Sequence, residues 1–174
     1  MKTIDDFKDY IENLSRMHIL VKHSDKEIHF AYLNDEKDNL LPVKMKYPFV
    51  LLGHEGYQIS TDKEYRNYDV TLSVLSHADD TGDDAQINTL LSQNETILED
   101  FMKKMIQDGM NPETKWIRGV DFSGASVSPV ENKDNALYGQ VATFKIALYW
   151  CKMLDDKTFD SSVFGSPEFT NSFA

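Results

Sequence analysis

One cysteine, Cys151, stands in the 174-residue chain, so no internal disulfide can hold the fold. Its neighbours Tyr149 and Trp150 read as the end of a buried strand, where a thiol acts as a small apolar group. That usage fits a reducing compartment. Long hydrophobic runs are missing too. No window approaches the apolar length that spans a bilayer, and Asp5, Asp6, Asp9 and Glu12 break any signal-peptide core, which predicts synthesis without export and no membrane partner. Basic residues are scarce: 18 Lys and Arg oppose 29 Asp and Glu, a formal charge of −11. Such a field repels phosphate backbones and anionic membranes, and the small basic clusters at Lys44 and Lys46 and at Lys103 and Lys104 read as solvated faces.

The motifs of common chemistries are absent as well. Neither G-x-x-x-x-G-K-[ST] nor G-x-G-x-x-G occurs, so nucleotide use is not indicated. His18, His23, His29, His54 and His77 form no HExxH and no helical i, i+4 pair, which leaves zinc without a ligand spacing. Cys151 lacks electropositive neighbours, and Gly124-Ala125-Ser126 has only a superficial likeness to a G-x-S-x-G elbow. The acidic run of Asp79, Asp80, Asp83 and Asp84 is open to two readings. Clustered carboxylates suit a hard cation, with His77 as a nitrogen ligand for another metal, although the EF-hand spacing is not met. Alternatively they form a solvated turn before a helix, capped by Asp83 or Asp84, where the dipole favours negative charge. The cap is the reading adopted, with no metal and no cofactor expected. A hydrolase built on His77, Asp79 and Asp80 is the competing enzymatic reading.

What is present points to one packed domain. Hydrophobic residues make up 41% of the chain and aromatics 11%, ordinary for a globular core. Thr3 and Asp6 resemble a capping box, and Ile4, Phe7, Ile11 and Leu14 recur at helical spacing, so residues 4–17 are expected to be an amphipathic helix. Residues 19–21 and the alternating Ile28, Phe30 and Tyr32 are expected as two strands joined by a turn at 24–26. A polar loop spans 34–39. The apolar stretch 47–52 follows as a strand, with Pro48 at its start or on an edge and Gly53 and Gly56 flanking a turn. Tyr68, Val70, Leu72 and Val74 mark a half-buried strand.

Ile87, Leu90, Leu91, Ile97, Leu98, Phe101, Met102, Met105 and Ile106 hold a helical stripe, stopped by Gly109 and Pro112. That helix, about 24 residues and on the order of 36 Å, is long enough to cross a sheet, and Phe101, Met102, Met105 and Met110 are taken as core. Two strand-like stretches, 116–130 and 137–151, close the domain as a hairpin, with Ala142, Phe144, Ile146, Leu148 and Trp150 on one face. The expected fold is α+β, in the order α-β-β-β-β-α-β-β: a mixed, mainly antiparallel sheet packed by an N-terminal helix and one long central helix, with a closing C-terminal β-hairpin. The domain covers 1–151. Residues 152–174 form an extension in which Phe159, Phe164, Phe169 and Phe173 are set among polar residues, candidates for anchors at a subunit interface. Four aromatics are costly to leave in water, so they dock on their own domain or on a neighbouring subunit.

This order of helix, strands with Tyr47-Pro48-Phe49-Val50-Leu51 opening the third, long strand at 68–76, long helix and closing hairpin resembles tailed-phage tail-terminator and head-to-tail connector proteins, over residues 1–151. The loop at 34–39 and the aromatic extension have no counterpart in that pattern. The resemblance implies a non-enzymatic structural protein of a virion, made in the host bacterial cytoplasm. It implies a homo-oligomeric ring, hexameric or larger, at the head-to-tail joint or tail end, with tail-tube or portal and adaptor proteins as neighbours. Double-stranded DNA would pass through the lumen without specific binding, as an acidic ring allows. The alternative is a bacterial intracellular protein–protein interaction module without catalytic activity.

Overall fold

Thr3 and Asp6 open the first element. In the computed structural model, which describes residues 3–34, 45–60, 65–111, 113, 116 and 119–149, the Asp6 carboxylate accepts the Thr3 N–H at 2.7 Å and the Thr3 hydroxyl oxygen accepts the Asp6 N–H at 3.3 Å. This reciprocal cap begins helix α1, Ile4–Met17, as the sequence predicts, and such caps contribute about 1 kcal/mol. Phe7, Ile11 and Leu14 share its buried face.

Residues 19–21, expected as a strand, form a turn instead. The Val21 and Lys22 N–H groups donate to the His18 carbonyl at 3.2 and 2.9 Å, and the His23 N–H donates to the Ser15 carbonyl at 3.0 Å. The Leu20 N–H also turns back, to His18 Nδ1 at 3.3 Å, so the amides of Leu20 and Val21 serve the turn after α1 and not a sheet ladder. Lys22 adopts a φ of 54°, Val21 turns into the core, and Ile19 and Leu20 remain in solvent.

The chain then runs through β1 (Ile28–Asn34), β2 (Met45–Ser60), β3 (Tyr65–His77), α2 (Asp84–Met110), β4 (Val120–Asn132) and β5 (Leu137–Tyr149). Among the described residues there is thus one strand fewer before α2 than expected. The strands make a single mixed sheet in the order β1-β2-β3-β5-β4, with β1 parallel to β2 and all other neighbours antiparallel. A 3₁₀ turn, Lys133–Asn135, joins β4 and β5 as the expected hairpin. The fold is α+β, with the N-terminal helix, the long central helix and the closing hairpin in their predicted places.

Of two expectations about β2, one needs correction. Pro48 lies near the start of the strand, as expected, in an interior strand where the β1 ladder jumps from the Ile28–Met45 pair to the Phe30–Val50 pair. That irregular stretch tolerates a residue without an N–H. Gly53 and Gly56 flank no turn, because β2 continues to Ser60. Gly56, at a φ of 39°, sits where the ladder to β3 shifts between Glu55 and Gln58, and the left-handed backbone of this bulge favours glycine.

Both helices pack on the same face of the sheet, where Phe7, Ile11, Ile97 and Phe101 meet Val50, Leu72, Ala142 and Phe144 in one apolar cluster. Asp83 caps α2, its carboxylate accepting the Ala85 and Gln86 N–H groups at 3.0 Å each. The helix continues through Gly109, the expected stop, to Met110, with Asn111 as its C-cap. Met105 and Phe101 are core as expected. Ile106 and Met110, also expected inside, are 50% and 71% exposed. Each four-residue step advances about 40° around a helix, so the row Met102, Ile106, Met110 walks off the buried face.

Asn94, fully buried in α2, ties the helix to two strands. The Ser76 hydroxyl donates to its Oδ1 at 2.9 Å, and its Nδ2 donates to the Tyr138 carbonyl at 3.0 Å. Asn94→Ala is expected to lower the unfolding free energy by about 2–3 kcal/mol, because two buried polar groups lose their partner. Urea denaturation with an unchanged slope is the check. A loss under about 0.5 kcal/mol would show that water takes over the amide's bonds.

Candidate functional site

The acidic run resolves into local structure. Asp83 is occupied as the α2 cap, the Asp80 carboxylate accepts the Gly82 N–H at 2.8 Å, and the Asp80 N–H donates to Gln86 Oε1 at 3.2 Å. Exposed His77 lies against the Tyr47 ring, with centroids 5.8 Å apart. Among the described residues no three His, Cys, Asp or Glu side chains converge as metal ligands. Gly124, Ala125 and Ser126 lie within β4, at the end of a register shift that begins after Asp121, and not on a strand-to-helix elbow.

A polar cluster joins the end of α1 to β1. His23 Nδ1 accepts the His29 N–H at 3.1 Å, which places the His23 proton on Nε2, 3.4 Å from Glu12 Oε1. Glu12 also accepts from Arg16 at 2.8 Å, and Arg16 reaches Asp25 at 2.9 Å. His29 Nδ1–H donates to the Pro48 carbonyl at 2.9 Å. Burial holds His23 below the usual histidine range, the charges of Arg16 and His29 add to this, and Glu12 opposes it. Burial pushes Glu12 upward, but the hydrogen bonds from Arg16 and His23 and their charges leave it below the usual carboxylate range. The cluster locks the chain's entry into β1.

Contacts between α1 and α2 leave a groove. The Tyr10 hydroxyl donates to Asp108 at 2.8 Å, and burial, with Asp108 adding, raises its pKa far above the usual phenol range. His18 stacks near Phe101, with centroids 5.6 Å apart, and its Nε2 lies 3.4 Å from Asp100. Between these contacts lies a cavity of about 260 Å³ lined by Leu14, Met17, His18, Asp100, Phe101 and Lys104. Met17, in its lining, is 67% exposed, and Ile19 and Leu20, in the turn directly after α1, are 76% and 51% exposed. A smaller exposed apolar group, Tyr57, Ile59 and Tyr65, marks the far ends of β2 and β3, with Arg66 5.1 Å over the Tyr57 ring.

The sheet face turned away from the helices is different in kind. Its registered rows are Thr71, Thr143 and Ser126, then Ser73, Val141 and Ser128, then Asp69, Lys145 and Asp121. Lys145 lies 3.7 Å from Asp69. The Ser123 hydroxyl and N–H, with Lys145 beyond them, hold the Asp121 carboxyl below its usual range. Ser126, Ser128 and Thr143 present hydroxyls to solvent on the β4 and β5 half, whereas Phe49 and Leu75 pair and are buried on the β2 and β3 half.

Phe159, Phe164, Phe169 and Phe173, the interface candidates read from the sequence, lie outside the described residues, as do Trp150, Cys151 and the loop from residue 35. The groove is a site that the sequence analysis misses. Its one legible signal is the apolar triplet Ile19, Leu20 and Val21 directly after a helix end, too short to make a strand worth burying.

A pH dependence follows from His23. Its folded-state pKa is depressed, so the unfolded chain binds the proton more readily. Stability should be full above about pH 6.5 and fall as pH drops below it. Chemical denaturation at pH 7.5 and 5.5 should show the loss. His23→Asn, whose side-chain oxygen still accepts the His29 N–H, should flatten it, and an equally steep profile in that variant would exclude His23 as the cause.

No protein-family model matches the chain, and no curated protein matches it significantly.

Proposed function

We propose that the chain is a non-enzymatic structural subunit of a tailed phage or prophage virion, closing into a ring of six or more copies at the head-to-tail joint or tail end. The observation that carries this is the α1–α2 groove, lined by solvent-exposed Met17, with Ile19 and Leu20 exposed in the turn that follows α1. Covering a large apolar side chain gains on the order of 1.5–3 kcal/mol, so three exposed ones within four residues favour a protein-binding surface. The element order keeps the helix, long strand, long helix and hairpin of the resemblance, although residues 47–51 lie within the second strand and do not open a third. The hydroxyl-lined sheet face and a charge of −11 suit a lumen past which duplex DNA slides without sticking. Tail-tube or portal and adaptor proteins would be the neighbours, and Phe159, Phe164, Phe169 and Phe173 would supply anchors between subunits.

The native mass of the full-length protein over a concentration series, with negative-stain images, is the test. Closed rings of six or more copies are expected. A strict monomer at every concentration would overturn the ring and favour the interaction module, in which the same groove meets a different protein. Deleting residues 155–174 should weaken or abolish assembly. An unchanged ring after that deletion would remove the phenylalanines from the interface.

A further inference from the structure

The turn after α1 is bounded by two histidines that bond in the same way. His18 Nδ1 accepts the Leu20 N–H at 3.3 Å, and its Nε2 lies 3.4 Å from Asp100 Oδ2. His23 Nδ1 accepts the His29 N–H at 3.1 Å, and its Nε2 lies 3.4 Å from Glu12 Oε1. In both rings the nitrogen that accepts a backbone N–H has to be bare, so the neutral imidazole is the form that closes the turn. His23 is the more enclosed of the two. Its residue is 9% exposed, its partner His29 is 7% exposed, and the bond between them leads the chain from the turn into β1. His29 is itself held, its Nδ1–H donating to the Pro48 carbonyl of β2 at 2.9 Å.

We propose that His23 is an acid-sensitive latch on this turn: a proton on Nδ1 sets two donors face to face, and residues 19–27 come away from β1 while α2 and the rest of the sheet stay folded. This goes beyond the ring reading and does not depend on it. The segment is suited to local opening because its remaining backbone bonds are short in range. Val21 and Lys22 donate to the His18 carbonyl, and His23 donates to the Ser15 carbonyl. The Ser24 N–H donates to the Glu27 carbonyl and the Glu27 N–H to the Ser24 hydroxyl, at 3.0 Å each. All of these stay within residues 15–27. Of the apolar residues 19–21, Val21 alone is in the core.

The groups around His23 set the sign. From α1, Glu12 favours the imidazolium and Arg16 opposes it, and Arg16 Nη2 already binds both Glu12 and Asp25. From β1, His29 opposes it, and the Phe30 ring stands edge-on with its centroid 6.0 Å away. Lys22, Asp25, Lys26 and Glu27 of the turn are exposed, where salt screens them. Burial, with Arg16 and His29, outweighs Glu12, and the folded-state pKa lies below the unfolded one. The latch is therefore closed above about pH 6.5 and loosens as pH falls below it. At the start of the turn a protonated His18 gives up the Leu20 N–H but faces Asp100 as an opposite charge, so the end of α1 stays on α2.

Hydrogen exchange of the full-length protein, read by mass spectrometry at pH 7.5 and 5.5 and corrected for the intrinsic pH dependence of amide exchange, is the test. Exchange across residues 19–29 is expected to rise severalfold at the lower pH, with about tenfold as the ceiling that one proton allows over that interval. Peptides from β3, β5 and the middle of α2 should rise less. His23→Asn, whose side-chain oxygen accepts the His29 N–H but takes up no proton, should hold the 19–29 segment closed at both pH values. An equal rise in β3, β5 and α2 would mean loosening of the whole fold and would overturn the latch, as would no rise in 19–29 or the same rise in His23→Asn. Should that variant not fold, the wild-type contrast between 19–29 and the two strands still decides.

Discussion

Asn94 holds the centre of the fold because it is a polar group that cannot be left unpaired. It sits fully buried midway along α2, and both ends of its amide are spent, one on Ser76 of β3 and one on the backbone of Tyr138 in β5. Sliding α2 by one residue would strand the amide, the hydroxyl and a carbonyl in a dry interior, whereas apolar contacts alone tolerate such shifts more easily. Tyr138 pairs with Ser76 in the ladder, so one side chain fixes the helix against a strand pair already in register. Ile97, Leu98, Phe101 and Met105 then follow along the same helix into the main cluster.

Once α2 is placed, α1 has limited room. It lies beside the C-terminal half of α2, tied by Tyr10 to Asp108 and by His18 to Asp100 and Phe101, and its end is closed by a turn. A helix of 14 residues cannot cover one of 27, and the groove opens where the shorter one stops. Met17 thus lines the groove in solvent because the shorter helix ends there, and the turn that follows bonds the amides of Leu20, Val21 and Lys22 back to His18. The polar cluster of Glu12, Arg16, His23 and His29 holds that turn from the other side, linking the orientation of the groove to the start of β1.

Much of the architecture is legible in local pattern. The capping box at Thr3 and Asp6, the Asp83 cap, the alternation from Tyr68 to Val74 and the hairpin flanking residues 131–135 each rest on interactions within a few residues, so sequence spacing reports them directly. The errors have a common cause. Residues 19–21 are apolar enough for a strand, yet the amides of Leu20 and Val21 are bonded back to His18 at the end of α1. Gly56 has the look of a turn residue but serves a bulge, because β3 continues alongside it. Ile106 and Met110 match the apolar stripe by type but leave it by phase.

The sequence by itself determined the class of the fold, the helix starts, the strand faces and the acidity of the chain, because propensity, capping and periodicity act over short separations. Only the tertiary structure decided the strand order β1-β2-β3-β5-β4, the parallel β1–β2 pair, the bridge at Asn94 and the groove between α1 and α2. Those features depend on which distant segments share a buried polar group or leave a gap between them. No spacing along one chain encodes how two helices of unequal length come to lie side by side.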